Sequence, residues 1–281
     1  MIGQAKRIFE LKNMEKSGED RPNKIYSFSS GKGGTGKTFV ALNLAYSLSL
    51  KGRKVLVVDL DPNLANLDVM LNMKPTSTIN EFYKGRSLLK EIIQKKSNYL
   101  HFIFGDSGRA DFQRHKEDTI SYLFMQLEKI SDQYDYIFLD TGAGASEDII
   151  KILAHSDYSI FVTTPEPTAI MDAYVMIKLL CVNSIDTEKM VIVNKCSDEA
   201  EGRQAFQNLN SASFHFLREK LNCLGLIRYD SAVTRSIINQ KLFIEHNEEG
   251  MITSNFHKMI KNLDEFVHVA NINHYGSDLL S

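Results

Sequence analysis

The chain has 281 residues and a mass of 31.9 kDa, close to the most that a single hydrophobic core organises, so one large α/β domain or two small ones are the architectures open to it. With 33 Lys and Arg against 35 Asp and Glu, the formal charge is -2 and the pI about 6.5, which excludes a global electrostatic attraction for DNA or an anionic membrane and leaves only local binding of that kind. No run of about 18 apolar residues occurs, charges punctuate residues 1–16, and Cys181, Cys196 and Cys223 form no C-x-x-C pair; these features point to a cytoplasmic protein with buried thiols and against secretion, membrane spanning, a disulfide framework or a metal-sulfur cage.

Residues 1–16 place Ile2, Ala5, Ile8 and Phe9 on one side of a helix and Lys6, Arg7 and Glu10 largely on the other, which predicts a short amphipathic helix. A polar break over 17–23 follows. From there, strand-length apolar runs at 24–28, 54–59, 99–104, 136–140, 159–163, 190–194 and 223–227 alternate with helical patterns at 37–50, 117–130, 147–154, 169–181 and 205–221. Uninterrupted apolar strands suit a parallel sheet covered on both faces, so the pattern predicts a doubly wound, mostly parallel sheet flanked by helices. Its ligand crevice lies at the carboxyl ends of the strands, and chemistry is expected just after each strand. Ile252, Phe256, Met259 or Ile260, Leu263, Phe266 or Val267, and Ala270 recur at helical spacing, predicting a last helix that caps the sheet. The expected organisation is an N-terminal helix and linker over 1–22, one domain over 23–270 and an unpatterned tail over 271–281.

The first strand runs into Gly31-Lys32-Gly33-Gly34-Thr35-Gly36-Lys37-Thr38, a G-x-x-x-x-G-K-T phosphate loop opening a helix. Its glycines let backbone N–H groups close around phosphates, Lys37 reaches the β and γ oxygens, and the Thr38 hydroxyl ligates magnesium. A nucleoside triphosphate site follows. The second strand ends in Asp59-Leu60-Asp61, and alternation places both carboxylates on one side, toward magnesium, the γ-phosphate or an attacking water. By itself a D-x-D is equally a turn or a helix cap. The run 136–139 delivers Asp140-Thr141-Gly142, where a carboxylate can serve magnesium through water and Gly142 lets an N–H approach the γ-phosphate. Asn194 ends a later strand with an amide able to donate to and accept from an adenine edge, although an Asn-Lys pair is also ordinary loop chemistry. Asp230 lies near the same place after the last strand.

Lys32 is not required by a generic phosphate loop. With it, the loop resembles the deviant Walker A motif of the MinD/ParA family, P-loop ATPases in which the first lysine reaches the partner subunit's nucleotide. The resemblance implies ATP and Mg2+ as ligands, ATP hydrolysis, and an ATP-dependent homodimer with two nucleotides sandwiched between subunits. It assigns Asp59 to the metal and phosphate network, Asp61 to orienting the hydrolytic water, Asp140 and Gly142 to the second switch, and Asn194 and Asp230 to the base pocket. There the family often has proline where this chain has Arg228.

The stretches D-L-D-P-N-L-A-N-L-D-V-M-L from Asp59 and T-P-E-P-T-A-I-M-D-A-Y from Thr164 look like the MinD side of the family and more like the flagellar-number ATPases of the FlhG group, also called FleN or YlxH. Ala65 stands where that group commonly has alanine and MinD usually arginine. Gln4 and Ala5, with Ile8 conservatively, match the group's D-Q-A-x-x-L-R element, whose Asp and Arg are missing here. The resemblance covers roughly residues 24–270. It implies that residues 1–22 activate an FlhF-type signal-recognition GTPase, and relatives also dock on flagellar switch components. The alternative for the helix is packing on its own domain. In the C-terminal helix, Asp264 and Glu265 offset Lys258 and Lys261, so a packed helix is expected ahead of weak peripheral membrane binding. Three rivals remain in view: a ParA-type partition ATPase, disfavoured by sparse basic clusters; a metal-cluster carrier, which needs paired cysteines; and a metabolic phosphotransferase, which has no use for Lys32.

Overall fold

The computed structural model describes residues 25–62, 65–106 and 119–277, with side chains to residue 266. The predicted N-terminal helix lies outside the described residues. Eight strands form one sheet: β1 (Ile25–Ser30), β2 (Val55–Leu60), β3 (Gln94–Lys95), β4 (Leu100–Ile103), β5 (Tyr136–Ala143), β6 (Tyr158–Thr163), β7 (Glu188–Cys196) and β8 (Asn222–Arg228). Their spatial order is β3-β4-β2-β5-β1-β6-β7-β8, and every pairing is parallel except that of β3 with β4. This is the doubly wound, mostly parallel architecture that the sequence predicts.

Alternation within a strand serves both faces. Val55 and Val57 of β2 enter one buried cluster with α1 (Lys37–Leu50), whereas Leu56 and Val58 enter another with α4 (Thr119–Ile130). On that second side, α5 (Glu147–His155), α6 (Pro167–Val182) and α7 (Glu199–Leu217) pack on the other half of the sheet through Leu153, Ile177 and Leu209. Tyr26 stacks on Tyr158 with ring centroids 4.6 Å apart and contacts Tyr136, tying β6, β1 and β5 together at the end of the sheet away from the crevice.

The elements depart from expectation where local signals are short or displaced. Three short helices, α2 (Leu67–Leu71), α3 (Ile79–Tyr83) and α8 (Ser231–Ile238), and the two-residue β3 join the predicted set. Helix α7 starts at Glu199 and not at 205, because the Asp198 carboxylate caps it by accepting from the Glu201 amide at 2.8 Å. The final helix, α9 (Met251–Ser277), runs past residue 270 into the predicted tail. Its buried residues Ile252, Phe256, Met259, Ile260 and Leu263 lie against α1 and β8, so it caps the sheet as expected. No described helix is long and apolar enough to cross a membrane.

Phe256 of α9 is fully buried and meets Phe39 of α1, with ring centroids 6.0 Å apart. Phe256→Ala should destabilise the chain by about 3–5 kcal/mol in chemical denaturation. A change below about 1 kcal/mol would mean that α9 is not part of the cooperative core.

Candidate nucleotide-binding site

The loop between β1 and α1 opens at the carboxyl ends of β1, β5 and β6, which are neighbours in the sheet. Gly36 lies at φ 88° as the residue before α1, a conformation costly for any side chain, and a methyl there would collide with the Asn194 amide. A side chain at Gly33 or Gly34 would meet open space.

The loop is tied to the sheet by Asp140. One carboxylate oxygen accepts from Lys37 Nζ at 2.5 Å, the other from Thr38 Oγ1 at 2.7 Å, and both the lysine and the aspartate are buried. Asp59 pairs with Asp140 across the β2–β5 ladder. Its carboxylate accepts the amides of Asp61 at 3.1 Å, Asn66 at 3.1 Å and Leu67 at 3.4 Å. Burial first, and then the neighbouring Asp140 charge, push the Asp59 carboxyl up to about 7, against the pull of these amides and Lys37. Two crowded carboxylates on neighbouring strands, with a hydroxyl and an ammonium from the start of α1, form a set of hard oxygen ligands and a cation that suits magnesium and phosphate. Thr35 Oγ1, buried in the same loop and without a hydrogen-bond partner, adds a further polar atom that a ligand can satisfy. The residues present therefore fit a magnesium nucleotide.

Gly142 lies beside Asp61: a methyl on Gly142 would sit 3.7 Å from Asp61 Oδ1 and 3.2 Å from Pro62. The end of β5 thus leaves room for the second aspartate of the D-x-D at the mouth of the crevice. Lys32 stands on the opposite rim, its Nζ 2.5 Å from Glu166 Oε2 and 3.2 Å from Thr168 Oγ1 at the start of α6. Lys32 holds the Glu166 carboxyl below the usual glutamate range by its hydrogen bond and charge.

The two base-pocket candidates each make a hydrogen bond to the protein's own backbone. Asn194 is buried and donates Nδ2 to the Thr35 carbonyl at 2.8 Å, and Asp230 is an exposed cap of α8, accepting from the Ala232 amide at 2.7 Å. Arg228 turns away, with Nε 3.3 Å from the Ser197 carbonyl. Sequence reasoning missed Glu166, Thr168 and Lys195 as neighbours of the loop. Glu166 and Thr168 lay in the stretch following β6 that matches the family; Lys195 carried no signal beyond adjacency to Asn194.

Asp140→Ala should leave a buried lysine uncompensated and cost about 3–5 kcal/mol of stability without nucleotide. Denaturation at neutral pH checks this, and a loss below about 1 kcal/mol would show that the Lys37–Asp140 pair is not formed in solution.

A family profile described as an AAA domain matches residues 23–193. The antiactivator FleN of Pseudomonas aeruginosa is 30% identical over 258 residues, covering 92% of each chain. The flagellum site-determining protein YlxH of Helicobacter pylori is 36% identical over 247 residues, 86% of this chain and 83% of that one. Among solved structures, the septum site-determining protein MinD of Pyrococcus horikoshii, complexed with Mg-ADP, superposes with a TM-score of 0.73 at 23% identity, over 88% of this chain and 98% of that one, which supports the fold. Sequence, fold and phosphate loop agree, and the chain belongs to the MinD/ParA-type P-loop ATPases, on the side of that family where FleN and YlxH lie.

Proposed function

We propose that this protein is an ATP-dependent dimerising switch of the FlhG type that regulates flagellar number or placement. The observation that carries the reading is the two-way 92% coverage with FleN, joined to a phosphate loop whose extra lysine stands at an exposed rim. Residues 31–38 bind the triphosphate of ATP, with Lys37 on the β and γ oxygens. Thr38, Asp59 and Asp140 hold Mg2+, partly through water; bound magnesium supplies charge neutralisation on the phosphates. Asp61 orients the water that attacks the γ-phosphorus, giving ADP and phosphate. Gly142 offers its amide to the γ-phosphate, and Asn194 and Asp230 border the base.

In this reading Lys32 exchanges Glu166 for the partner subunit's nucleotide. An exposed ion pair of this kind is weak, so its release costs little. Dimerisation then depends on the γ-phosphate, slow hydrolysis acts as a timer, and the two states differ in which partners they admit. Residues 1–22 form the element that engages an FlhF-type GTPase; flagellar switch components are further partners, and the site of action is the cytoplasm with weak peripheral contact at the inner face of the membrane. The alternative is a cell-division or DNA-partition positioning ATPase of the same family. The formal charge of -2 disfavours DNA.

Asp61→Ala should retain ATP, accumulate as dimer and lose at least about 100-fold in turnover, the range for removing a group that positions a reactant; fast hydrolysis by this variant would refute the role of Asp61. Lys32→Ala should bind ATP yet stay monomeric in light scattering, and an undiminished ATP dimer would remove the trans role. Full-length chain, and a peptide of residues 1–20, should stimulate the GTPase of the cognate FlhF-type protein, with the effect lost in Gln4→Ala. Absence of stimulation by either would favour the positioning alternative.

A further inference from the structure

β7 delivers two consecutive side chains to the same loop, which a regular strand cannot do because neighbours point to opposite faces. The register explains how. Val193 pairs with Leu226 and Cys196 with Arg228, three steps along β7 against two along β8, so the strand carries an extra residue at its end. Lys195 absorbs the bulge with φ 61°, the left-handed region that a lysine rarely adopts. As a result Asn194 donates to the Thr35 carbonyl at 2.8 Å and Lys195 Nζ to the Gly34 carbonyl at 2.7 Å. Lys195 is also close enough to Glu166 to help hold its carboxyl below the usual glutamate range, after the larger effect of Lys32.

A loop that cradles an anion turns N–H groups toward the ligand, and its carbonyls need donors elsewhere. Gly34 at φ 81° and Gly36 at φ 88° give the loop that alternating form. We propose that Lys195 is a positioning residue for nucleotide binding: its ammonium holds the Gly34 carbonyl outward and thereby fixes the amides of residues 33–36 toward the phosphates. An exposed lysine held in a disfavoured backbone conformation at a bulge, beside a second residue serving the next carbonyl, is the juxtaposition that carries this. The inference rests on the reading of residues 31–38 as the phosphate loop, and wild-type chain that fails to bind ATP or ADP would sink that reading and not the role of Lys195 alone.

The test separates backbone from side chain. Lys195→Gly relieves the φ of 61° while deleting the amine, Lys195→Met deletes the charge and donor, and Lys195→Arg keeps both. Affinity for ATP and ADP is measured by titration with fluorescent analogues, and exchange of the amides of residues 33–37 by hydrogen exchange of the nucleotide-free full chain. The expected result is that Lys195→Gly and Lys195→Met each lose on the order of tenfold in affinity for both nucleotides, the worth of one charge-assisted hydrogen bond. Loop amides exchange faster in both, Lys195→Arg stays near wild type, and the melting temperature of Lys195→Gly does not fall. Affinity unchanged in both deletion variants would overturn the proposal. So would full affinity in Lys195→Gly with loss in Lys195→Met, which would make the backbone conformation the cause. Loss of affinity with unchanged loop exchange would also overturn it, since the ammonium would then act on the phosphates directly.

Discussion

The Asp140 carboxylate commits one oxygen to the Lys37 ammonium and the other to the Thr38 hydroxyl, and the geometry of the crevice depends on that double attachment. β5 lies between β1 and β2, and Asp140 is paired within both ladders, so its carboxylate is a fixed point for a loop that has no regular structure of its own. Burying an ammonium against a carboxylate costs much of what the attraction returns, so the pair is better understood as a device for placement than as a source of stability. Asp59, one strand over, crowds the same spot. Two carboxylates and one lysine leave an excess of negative charge that a cation can relieve.

Local spacing made the chemistry at the strand ends legible. The loop 31–38, the D-x-D and Asp140 each follow an apolar run, and a parallel sheet brings the ends of such runs together without any knowledge of distant contacts. Contacts between side chains far apart in sequence were not legible. Nothing in residues 31–38 says that Lys32 meets Glu166, or that Asn194 and Lys195 serve two carbonyls of the loop, because those contacts require the crossover from β6 through α6 to β7 to be in place. Asn194 shows the limit most clearly. Its amide chemistry suits a nucleobase and also suits the backbone of the loop, and the fold puts the Thr35 carbonyl within reach.

Errors in the elements have equally physical causes. The start of α7 was readable from Asp198 and Glu201, a cap and a residue three further on, but the apolar stripe begins later and drew the boundary with it. Helix α8 spans eight residues, buries none of them fully and meets the core only through the partly buried Ala232 and Val233, so its core-facing pattern is short. β3 spans two residues, too few for alternation to be seen.

The short β3 and the covered β8 have a consequence for how copies of this chain can meet. An open parallel sheet offers unpaired N–H and C=O groups along its outer strands, and such rims invite strand-to-strand addition. Here one rim is blunted by an antiparallel stub, Gln94–Lys95, which leaves no long run of backbone to extend and carries a lysine. At the other rim α9 lies over β8, where Asn262 Nδ2 takes the Leu224 carbonyl at 3.0 Å and Met259 fills the space above Gly225. Indiscriminate stacking into fibres is thereby disfavoured on both flanks.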